Sequence, residues 1–286
     1  MSGPGPVFCM GGGGFTMELG MPALDAFILA LAPVERPRVL FLPTAGGDPR
    51  EDIARFGRVF GAWPCRPQIL SLFRIEADDE PLESLILSQD IIYVGGGSLH
   101  NLLALWRAHG VADLMLEANA RGTVLAGLSA GAMCWMEGGV STSVGIPAPI
   151  DGLGLVSGSL SVHARQEPER GVVYRQAVQS GRLPAGWTAD DGCGLLFRDG
   201  RLEEVVVSRE DAVATHVDVD ADGMLVETVL EGRRLEPVPQ AVGGDGPLRR
   251  EFEPGDGLGP REERRLVRQI RARTRAGGSR GWRRLR

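Results

Sequence analysis

Residues 123–131 read Thr-Val-Leu-Ala-Gly-Leu-Ser-Ala-Gly, and helix-forming residues follow directly at 132–135. The apolar run predicts a strand, and the pattern Gly-x-Ser-x-Gly predicts a turn that lifts the hydroxyl of Ser129 off the end of that strand. Such a pattern is weak evidence in a chain with 41 glycines. A strand, a turn and a helix in this order nevertheless favour a nucleophilic serine over a structural turn.

Short apolar runs bounded by glycine or proline recur through the first half of the chain. They lie at residues 7–10, 38–42, 68–72, 90–94 and 123–126. Helical patterns fill the gaps between them, at residues 22–31, 51–60, 99–108 and 112–120. Strands that alternate with helices in this way predict an α/β fold, a doubly wound and mostly parallel sheet with helices on both faces.

The pattern changes after residue 192 to short strand-like runs joined by Asp-Gly turns. These runs lie at residues 194–197, 203–207, 212–217 and 224–230. They predict antiparallel strands at the end of the sheet. Residues 1–235 are therefore expected to form the catalytic domain.

The remaining residues, 236–286, differ in composition from this domain. Proline and glycine are frequent up to residue 260, which is typical of a linker. Residues 261–286 carry many arginines and few acids, and we expect a poorly ordered, solvated tail. The alternative is an arm that contacts nucleic acid or an acidic partner.

Length and charge exclude several classes of protein. A chain of 286 residues with 43% hydrophobic content forms one main domain. Its net charge of -6 argues against a nucleic-acid surface on that domain, so small peptides or metabolites are the expected partners. No apolar stretch reaches the roughly 18 to 20 residues that span a bilayer, and the N-terminus has no signal-peptide pattern. We expect a cytoplasmic protein that contacts no membrane.

Cysteine and lysine usage narrows the chemistry further. The four cysteines form no Cys-x-x-Cys pair, so we expect buried, reduced residues and no metal site or disulfide framework. All 31 basic residues are arginine. The absence of lysine excludes a Schiff base, a P-loop lysine and a serine–lysine dyad. If Ser129 is a nucleophile, its base is a histidine, and no cofactor is implied.

Three glycine-rich segments follow predicted strands, at residues 11–14, 45–47 and 95–97. Ligands of an open parallel sheet bind at the carboxyl ends of its strands, where these segments lie. The first segment does not match Gly-x-Gly-x-x-Gly, which favours close backbone approach over a phosphate cradle. Residues 95–97 could direct an N–H group at an oxyanion, with a second from Ala130, or could form a plain tight turn.

Only four histidines are available as a base. His109 lies at the end of a predicted helix, where an imidazolium suits the helix dipole. His216 lies in a late strand, and His100 opens a helix and is expected to face outward. His163 follows the run 159–162, at the carboxyl end of a strand that comes after Ser129. Elimination therefore favours His163.

The acid that would orient this histidine is harder to choose, because such acids lie before or after the histidine in different folds. Between Ser129 and His163 the acids are Glu137 and Asp151. An unbroken helix would carry Glu137 about 12 Å along its axis from the serine. Asp151 has the surroundings of a turn residue. Residues 190–192, Asp-Asp-Gly, could also return an acid to this edge, although their pattern favours a turn, and a missing acid stays open.

Six segments, in order from residue 10 to residue 192, resemble one known family. They are MGGGGF at 10–15, FLPT at 41–44, YVGGG at 93–97, GLSAGA at 127–132, DGLGL at 151–155 and DDG at 190–192. With them the chain resembles the peptidase E family of serine peptidases, which includes aspartyl dipeptidases and the related cyanophycinases. Together these segments are far more specific than Gly-x-Ser-x-Gly alone.

The resemblance implies a fold like that of class I glutamine amidotransferases, with serine in place of cysteine at the elbow. It implies hydrolysis through an acyl-enzyme, in which Ser129 attacks and His163 transfers the proton. Gly96 and Ala130 would donate hydrogen bonds to the oxyanion. The family's third catalytic residue follows the histidine, which favours Asp191 over the other acids.

The resemblance also implies a substrate. Dipeptidase members remove an N-terminal aspartate, and Arg165 or Arg170 would pair with such a carboxylate here. Ser98 is a further substrate-binding candidate, at a position where the family usually has asparagine. Ala164 and Arg165 also depart from the family pattern, which commonly has tyrosine after the histidine.

These departures leave alternatives to the main prediction. The main prediction is a serine peptidase for dipeptides with an N-terminal aspartate, and this prediction allows a homodimer. The first alternative is a non-catalytic relative that binds a peptide or metabolite. The second is an amide hydrolase for a non-dipeptide substrate, such as a polymer similar to cyanophycin. The catalytic predictions and the non-catalytic one differ in whether a carboxylate reaches the far nitrogen of His163.

Overall fold

The computed structural model describes residues 3–18, 22–76 and 80–236. Strands and helices alternate in the first half of the chain. The strands are β1 Val7–Met10, β2 Arg38–Leu42, β3 Arg66–Ile69, β4 Ile91–Val94 and β5 Val124–Leu128. The helices are α1 Ala23–Leu31, α2 Arg50–Gly61, α3 Leu82–Leu87, α4 Leu99–Ala108, α5 Val111–Ala120 and α6 Ala130–Met133.

The second half of the described chain is mainly strand. In chain order its elements are β6 Met136–Ser141, β7 Ala148–Asp151, β8 Val156–Val162, α7 Pro168–Gln179, β9 Gly186–Ala189, β10 Cys193–Arg198, β11 Arg201–Val207, β12 Ala214–Val219, β13 Leu225–Leu230 and β14 Arg233–Arg234.

The larger sheet has eight strands in the order β14-β11-β10-β1-β5-β4-β2-β3. Strands β1, β5, β4, β2 and β3 are parallel to their neighbours in this series. Strand β10 runs antiparallel to both β1 and β11. The predicted doubly wound, mostly parallel α/β sheet with antiparallel strands near its C-terminal end is confirmed.

Both faces of this sheet are covered, because successive side chains of a strand point to opposite faces. On one face Phe8, Phe41 and Tyr93 pack in a cluster with residues of α1 and α2. On the other face Cys9 and Ile92 pack in a cluster with residues of α3, α4 and α5. Burial on both faces explains why these strands appear in the sequence as continuous apolar runs.

A second sheet of six strands has the order β13-β12-β9-β8-β6-β7. Strands β6, β8 and β9 are parallel, whereas β7, β12 and β13 pair antiparallel. Leu160 and Val162 of β8 belong to the same core cluster as α4 and α5, and Tyr174 of α7 packs with Val140 of β6 and Val217 of β12. The smaller sheet thus carries helices too.

Two sequence predictions need correction. The runs now seen as β12 and β13 were expected to end a single sheet, but Ala214 of β12 pairs with Ala189 of β9 and places both in the second sheet. Strand β3 begins and ends earlier than the run 68–72. It lies at the edge of its sheet, where Pro67 without an N–H group is tolerated.

The structure describes only some of the residues to which the other sequence predictions apply. The four cysteines are buried, as expected. In the described part of the chain, no helix is both long enough and apolar enough to cross a membrane. Of the predicted linker and tail at 236–286, all but residue 236 lie outside the described residues.

Candidate active site

Ser129 stands at a sharp turn between β5 and α6. Its backbone has φ 54° and ψ −115°, a strained conformation for a residue with a side chain. A Cβ atom on Gly127 would overlap the carbonyl oxygen of Gly131, and one on Gly131 would overlap the carbonyl oxygen of Val94. The Ser129 N–H donates to the Met10 carbonyl oxygen at 3.0 Å. The two glycines of the motif are therefore required sterically by the turn.

His163 follows the last residue of β8, and its ring reaches the serine. Nε2 lies 2.9 Å from Oγ of Ser129, a distance suited to proton transfer. The His163 N–H donates to the carbonyl oxygen of Ala189 at 3.1 Å, and its own carbonyl accepts the N–H of Glu167 at 2.8 Å. Backbone hydrogen bonds on both sides thus hold the imidazole at Ser129.

Asp191 contacts the other nitrogen of the same ring. Its Oδ1 lies 2.5 Å from Nδ1 of His163, and its side chain is only 8% exposed. The hydrogen bond from His163 lowers the pKa of Asp191 despite its burial, and the charge of Arg209 lowers it further. An ionised carboxylate accepts only, so Nδ1 carries the hydrogen and Nε2 is left to accept from Ser129.

The other candidate acids are engaged elsewhere. Asp190 accepts the N–H of Val213 at 3.2 Å, and burial raises its pKa. Glu137 accepts the N–H of Gly158 at 3.0 Å. Asp151 forms an exposed ion pair at 3.1 Å. None of these three has a hydrogen bond to the imidazole among the described residues, so the geometry singles out Asp191.

Gly12 packs its bare backbone against this pair. It forms a bridge with Asp191, and its carbonyl accepts the N–H of Gly192 at 2.9 Å. A Cβ atom on Gly12 would overlap the Asp191 carboxylate and lie 3.1 Å from Cε1 of His163. Close backbone approach, rather than a phosphate cradle, is what this glycine provides.

Gly96 and Ala130 flank Ser129. A Cβ atom on Gly96 would lie 3.3 Å from the Cβ of Ser129, and Ala130 is the first residue of α6. Neither of their N–H groups donates to another residue in the described ranges. Both positions suit donors to an oxyanion that forms at the serine, and their role stays a prediction.

Two of the predicted substrate-binding residues lie near the surface. Ser98 caps α4, with its Oγ accepting the N–H of Asn101 at 3.2 Å. Arg165 is half exposed and lies 3.4 Å from Asp190 and 3.2 Å from Asp211. Neither contact prevents a role in binding, and none of the described contacts tests it.

Arg170 has a different environment from the one expected of a substrate ligand. Its side chain is 5% exposed and lies 3.2 Å from Glu167. It donates to the carbonyl oxygen of Val162 at 3.1 Å and to Oγ1 of Thr142 at 2.7 Å. Its partners belong to the protein itself, whereas the sequence had suggested a substrate carboxylate.

Sequence reasoning overlooked the internal role of Arg170 and the position of Arg209 near Asp191. A signal for Arg170 exists, because Arg170, Tyr174, Ala177 and Val178 recur at the spacing of one helix face, and that face is buried. No comparable signal distinguishes Arg209 among 31 arginines.

Within the described ranges, no group of three or more His, Cys, Asp or Glu side chains could hold a metal ion.

The fold and the hydrogen-bonded line Ser129–His163–Asp191 define an α/β protein with the geometry of a hydrolytic enzyme. The sequence model of peptidase family S51 matches residues 7–205. The chain belongs to this family and is a peptidase, and the predicted resemblance to the peptidase E family is confirmed.

A relative agrees with this assignment, and two solved structures agree with the fold. The uncharacterized peptidase YgaJ of Bacillus subtilis is 42% identical over 211 residues, which cover 74% of this chain and 91% of the relative. The crystal structure of a peptidase from an acI-B1 Actinobacterium has a TM-score of 0.57 at 22% identity, covering 80% of this chain and 95% of that one. A candidate peptidase E protein from Listeria monocytogenes has a TM-score of 0.53 at 17% identity, covering 71% and 98%.

Proposed function

We propose that this peptidase is a serine enzyme that hydrolyses small peptides through an acyl-enzyme on Ser129. The line of two hydrogen bonds from Ser129 through His163 to Asp191, at 2.9 and 2.5 Å, carries the proposal. A serine hydroxyl is a weak nucleophile unless an adjacent base accepts its proton, and a third group must orient that base. Ser129, His163 and Asp191 are our candidates for the nucleophile, the base and the orienting group.

Acylation begins when Oγ of Ser129 attacks the carbonyl carbon of the scissile peptide bond and His163 Nε2 takes the hydroxyl proton. The negative charge that develops on the carbonyl oxygen is stabilised by the N–H groups of Gly96 and Ala130. The imidazolium is stabilised by the Asp191 carboxylate. The C–N bond then breaks, and His163 donates its proton to the leaving amine.

Deacylation repeats these steps with water as the nucleophile. His163 takes a proton from the water, whose oxygen attacks the acyl carbon. The ester bond to Ser129 breaks, and the proton returns to Oγ. The cycle releases a carboxylic acid and restores the enzyme with no cofactor.

For the substrate we propose dipeptides with an N-terminal aspartate, as the family resemblance implies. Two half-exposed arginines lie near the acid, and each of them also pairs with Asp211. Arg165 follows His163 by two residues, and the charge of Arg209 acts on Asp191. A carboxylate on the substrate would find guanidinium partners there. A cytoplasmic location and a homodimer remain predictions.

The rival function is a non-catalytic relative that binds a peptide or metabolite. It was motivated by the departures at Ser98 and at Ala164 and Arg165. Its distinguishing feature would be a histidine without an acid at its far nitrogen, and the contact between Asp191 and His163 argues for catalysis.

A dipeptide library assayed with wild type and Ser129→Ala tests the proposal. We expect wild type to hydrolyse dipeptides with N-terminal aspartate best and to be labelled by a serine-directed fluorophosphonate. Ser129→Ala should lose both properties. Ser180→Ala, which removes a hydroxyl at the end of α7, is the matched control and should keep both. Wild-type protein that neither labels nor cleaves any dipeptide or larger amide would overturn the proposal.

A further inference from the structure

Arg170 is the only buried arginine in the described part of the chain. It lies on α7, and burial lowers the pKa of its guanidinium while Glu167 opposes that effect. A charge is costly to remove from water unless its partners compensate, and Nε of this side chain has no hydrogen-bond partner in the described ranges. The groups that contact the guanidinium indicate what offsets the cost of burying its charge.

One side of the guanidinium supports the base. Nη1 donates to the carbonyl oxygen of Val162, the residue immediately before His163. Nη2 lies 3.2 Å from Glu167, whose backbone N–H donates to the His163 carbonyl oxygen at 2.8 Å. Arg170 therefore contacts the chain on both sides of the histidine without contacting the ring.

The other side reaches the segment that holds the start of α4. Nη2 donates to Oγ1 of Thr142, the first residue after β6. The hydroxyls of Ser141 and Ser143, on either side of Thr142, lie 2.6 Å apart. Oγ of Ser143 accepts the N–H of Leu99 at 2.9 Å. Leu99 begins α4 and follows Gly96, the proposed oxyanion donor, by three residues.

We propose that Arg170 is a positioning residue that fixes His163 relative to the glycine loop at 95–97. This inference rests on the proposed serine mechanism and replaces the role of substrate ligand that the sequence suggested. Proton transfer by His163 and stabilisation of the oxyanion by the glycine loop act on the same reacting group. A displacement of about 1 Å of one relative to the other therefore lowers the rate strongly. A planar guanidinium joins two segments in fixed directions.

Arg170→Lys and Thr142→Val test this connection from its two ends. Lysine keeps the charge but lacks the planar guanidinium that directs several N–H groups at fixed angles. Valine removes the hydroxyl acceptor with little change of shape. We expect Arg170→Lys to lower kcat about 10- to 100-fold, and Thr142→Val by a smaller factor, with KM within about threefold of wild type. The double variant should lose no more than Arg170→Lys, because both changes break one connection.

Arg175→Lys is the matched control. Arg175 lies on the same helix, but it is half-exposed and pairs with Glu227, so its replacement should leave kcat and KM at wild-type values. If Arg170→Lys fails to give folded protein by thermal unfolding, Thr142→Val carries the test alone. Fluorophosphonate labelling rates should fall with kcat in both variants, because labelling needs the base but no substrate side chain.

Acidic and neutral dipeptides separate positioning from substrate binding. Positioning predicts the same fold-loss in kcat for substrates with N-terminal aspartate and N-terminal alanine. A rise in KM confined to the acidic substrate, or wild-type kinetics in both variants, would overturn the inference. The proposed function fails in a different way, namely if Ser129→Ala keeps its activity.

Discussion

Nδ1 of His163 lies 2.5 Å from Oδ1 of Asp191 because each residue follows one of two adjacent parallel strands. Val162, the last residue of β8, pairs with Ala189, the last residue of β9. Parallel strands end at the same edge, so the residues beyond them meet there. The smaller sheet therefore brings together the acid and the base, and the larger sheet supplies the serine from β5.

Asp191→Asn should lower kcat by about 10³- to 10⁴-fold, because an amide in place of the carboxylate favours the wrong tautomer of the histidine. Steady-state hydrolysis by variants shown to be folded measures this loss. Asp190→Asn and Glu137→Gln are matched controls, since neither side chain contacts His163, and we expect them to lose less than tenfold. A fully active Asp191→Asn enzyme would show that the hydrogen bond to Asp191 is dispensable.

Gly12→Ala should impair catalysis more than folding. The added Cβ atom would overlap the Asp191 carboxylate and contact the His163 imidazole, so it would displace these two side chains from each other. A displacement of about 1 Å costs roughly 10²-fold in rate, and we expect a loss of that size in kcat. Steady-state kinetics and urea denaturation, measured together, separate the two effects.

Gly61→Ala provides the control for this experiment. Gly61 ends α2, and a Cβ atom there meets nothing within 4 Å. Alanine should therefore leave kcat unchanged and raise stability by about 0.4–1 kcal/mol, since it restricts the unfolded chain. Wild-type kcat in Gly12→Ala would mean that the site relaxes around the methyl group.

The parallel strands and the sharp turn at Ser129 were predictable because each has a local pattern. Continuous apolar runs located β1 and β2 to the residue, since strands buried on both faces need no polar positions. The motif around Ser129 was predictable because only glycine fits at Gly127 and Gly131. His163 was reached by elimination, which a chain with four histidines permits.

The smaller sheet was not predicted as a separate sheet. The runs 212–217 and 224–230 and the end of β8 were predicted as strands, but β6, β7 and β9 were not. Strand β6 reads MEGGVS and β8 reads VSGSLSV, with glycine and serine where apolar residues were sought. Asp191 was favoured only by the family resemblance, since its turn sequence does not reveal which side chain it faces. The pairing of β8 with β9 is a long-range contact, and no spacing along the chain encodes it.

We expect Asp25 to give the chain a pH-dependent stability. It is fully buried, with Oδ2 accepting the N–H of Phe15 at 2.5 Å and Oδ1 at 3.1 Å from the Tyr93 hydroxyl. Burial raises its pKa to about 8, although both hydrogen bonds lower it. The pKa of Asp25 is thus higher in the folded state than in the unfolded state. The contribution of protonated Asp25 to the free energy of unfolding is therefore complete below about pH 4, and it is lost as the pH rises from there through about 8.

Asp25→Asn should remove this dependence. The amide oxygen can accept from Phe15, and the NH₂ group can donate to the Tyr93 hydroxyl oxygen, whereas in wild type that hydroxyl donates to Oδ1. Relative to the variant, wild type should lose up to about 1.4 kcal/mol of unfolding free energy per pH unit between about pH 4 and 8. Urea denaturation at pH 5, 6.5 and 8 measures the difference, with the exposed Asp113→Asn as control. Wild-type and Asp25→Asn curves that stay parallel would show that Asp25 does not titrate in this range.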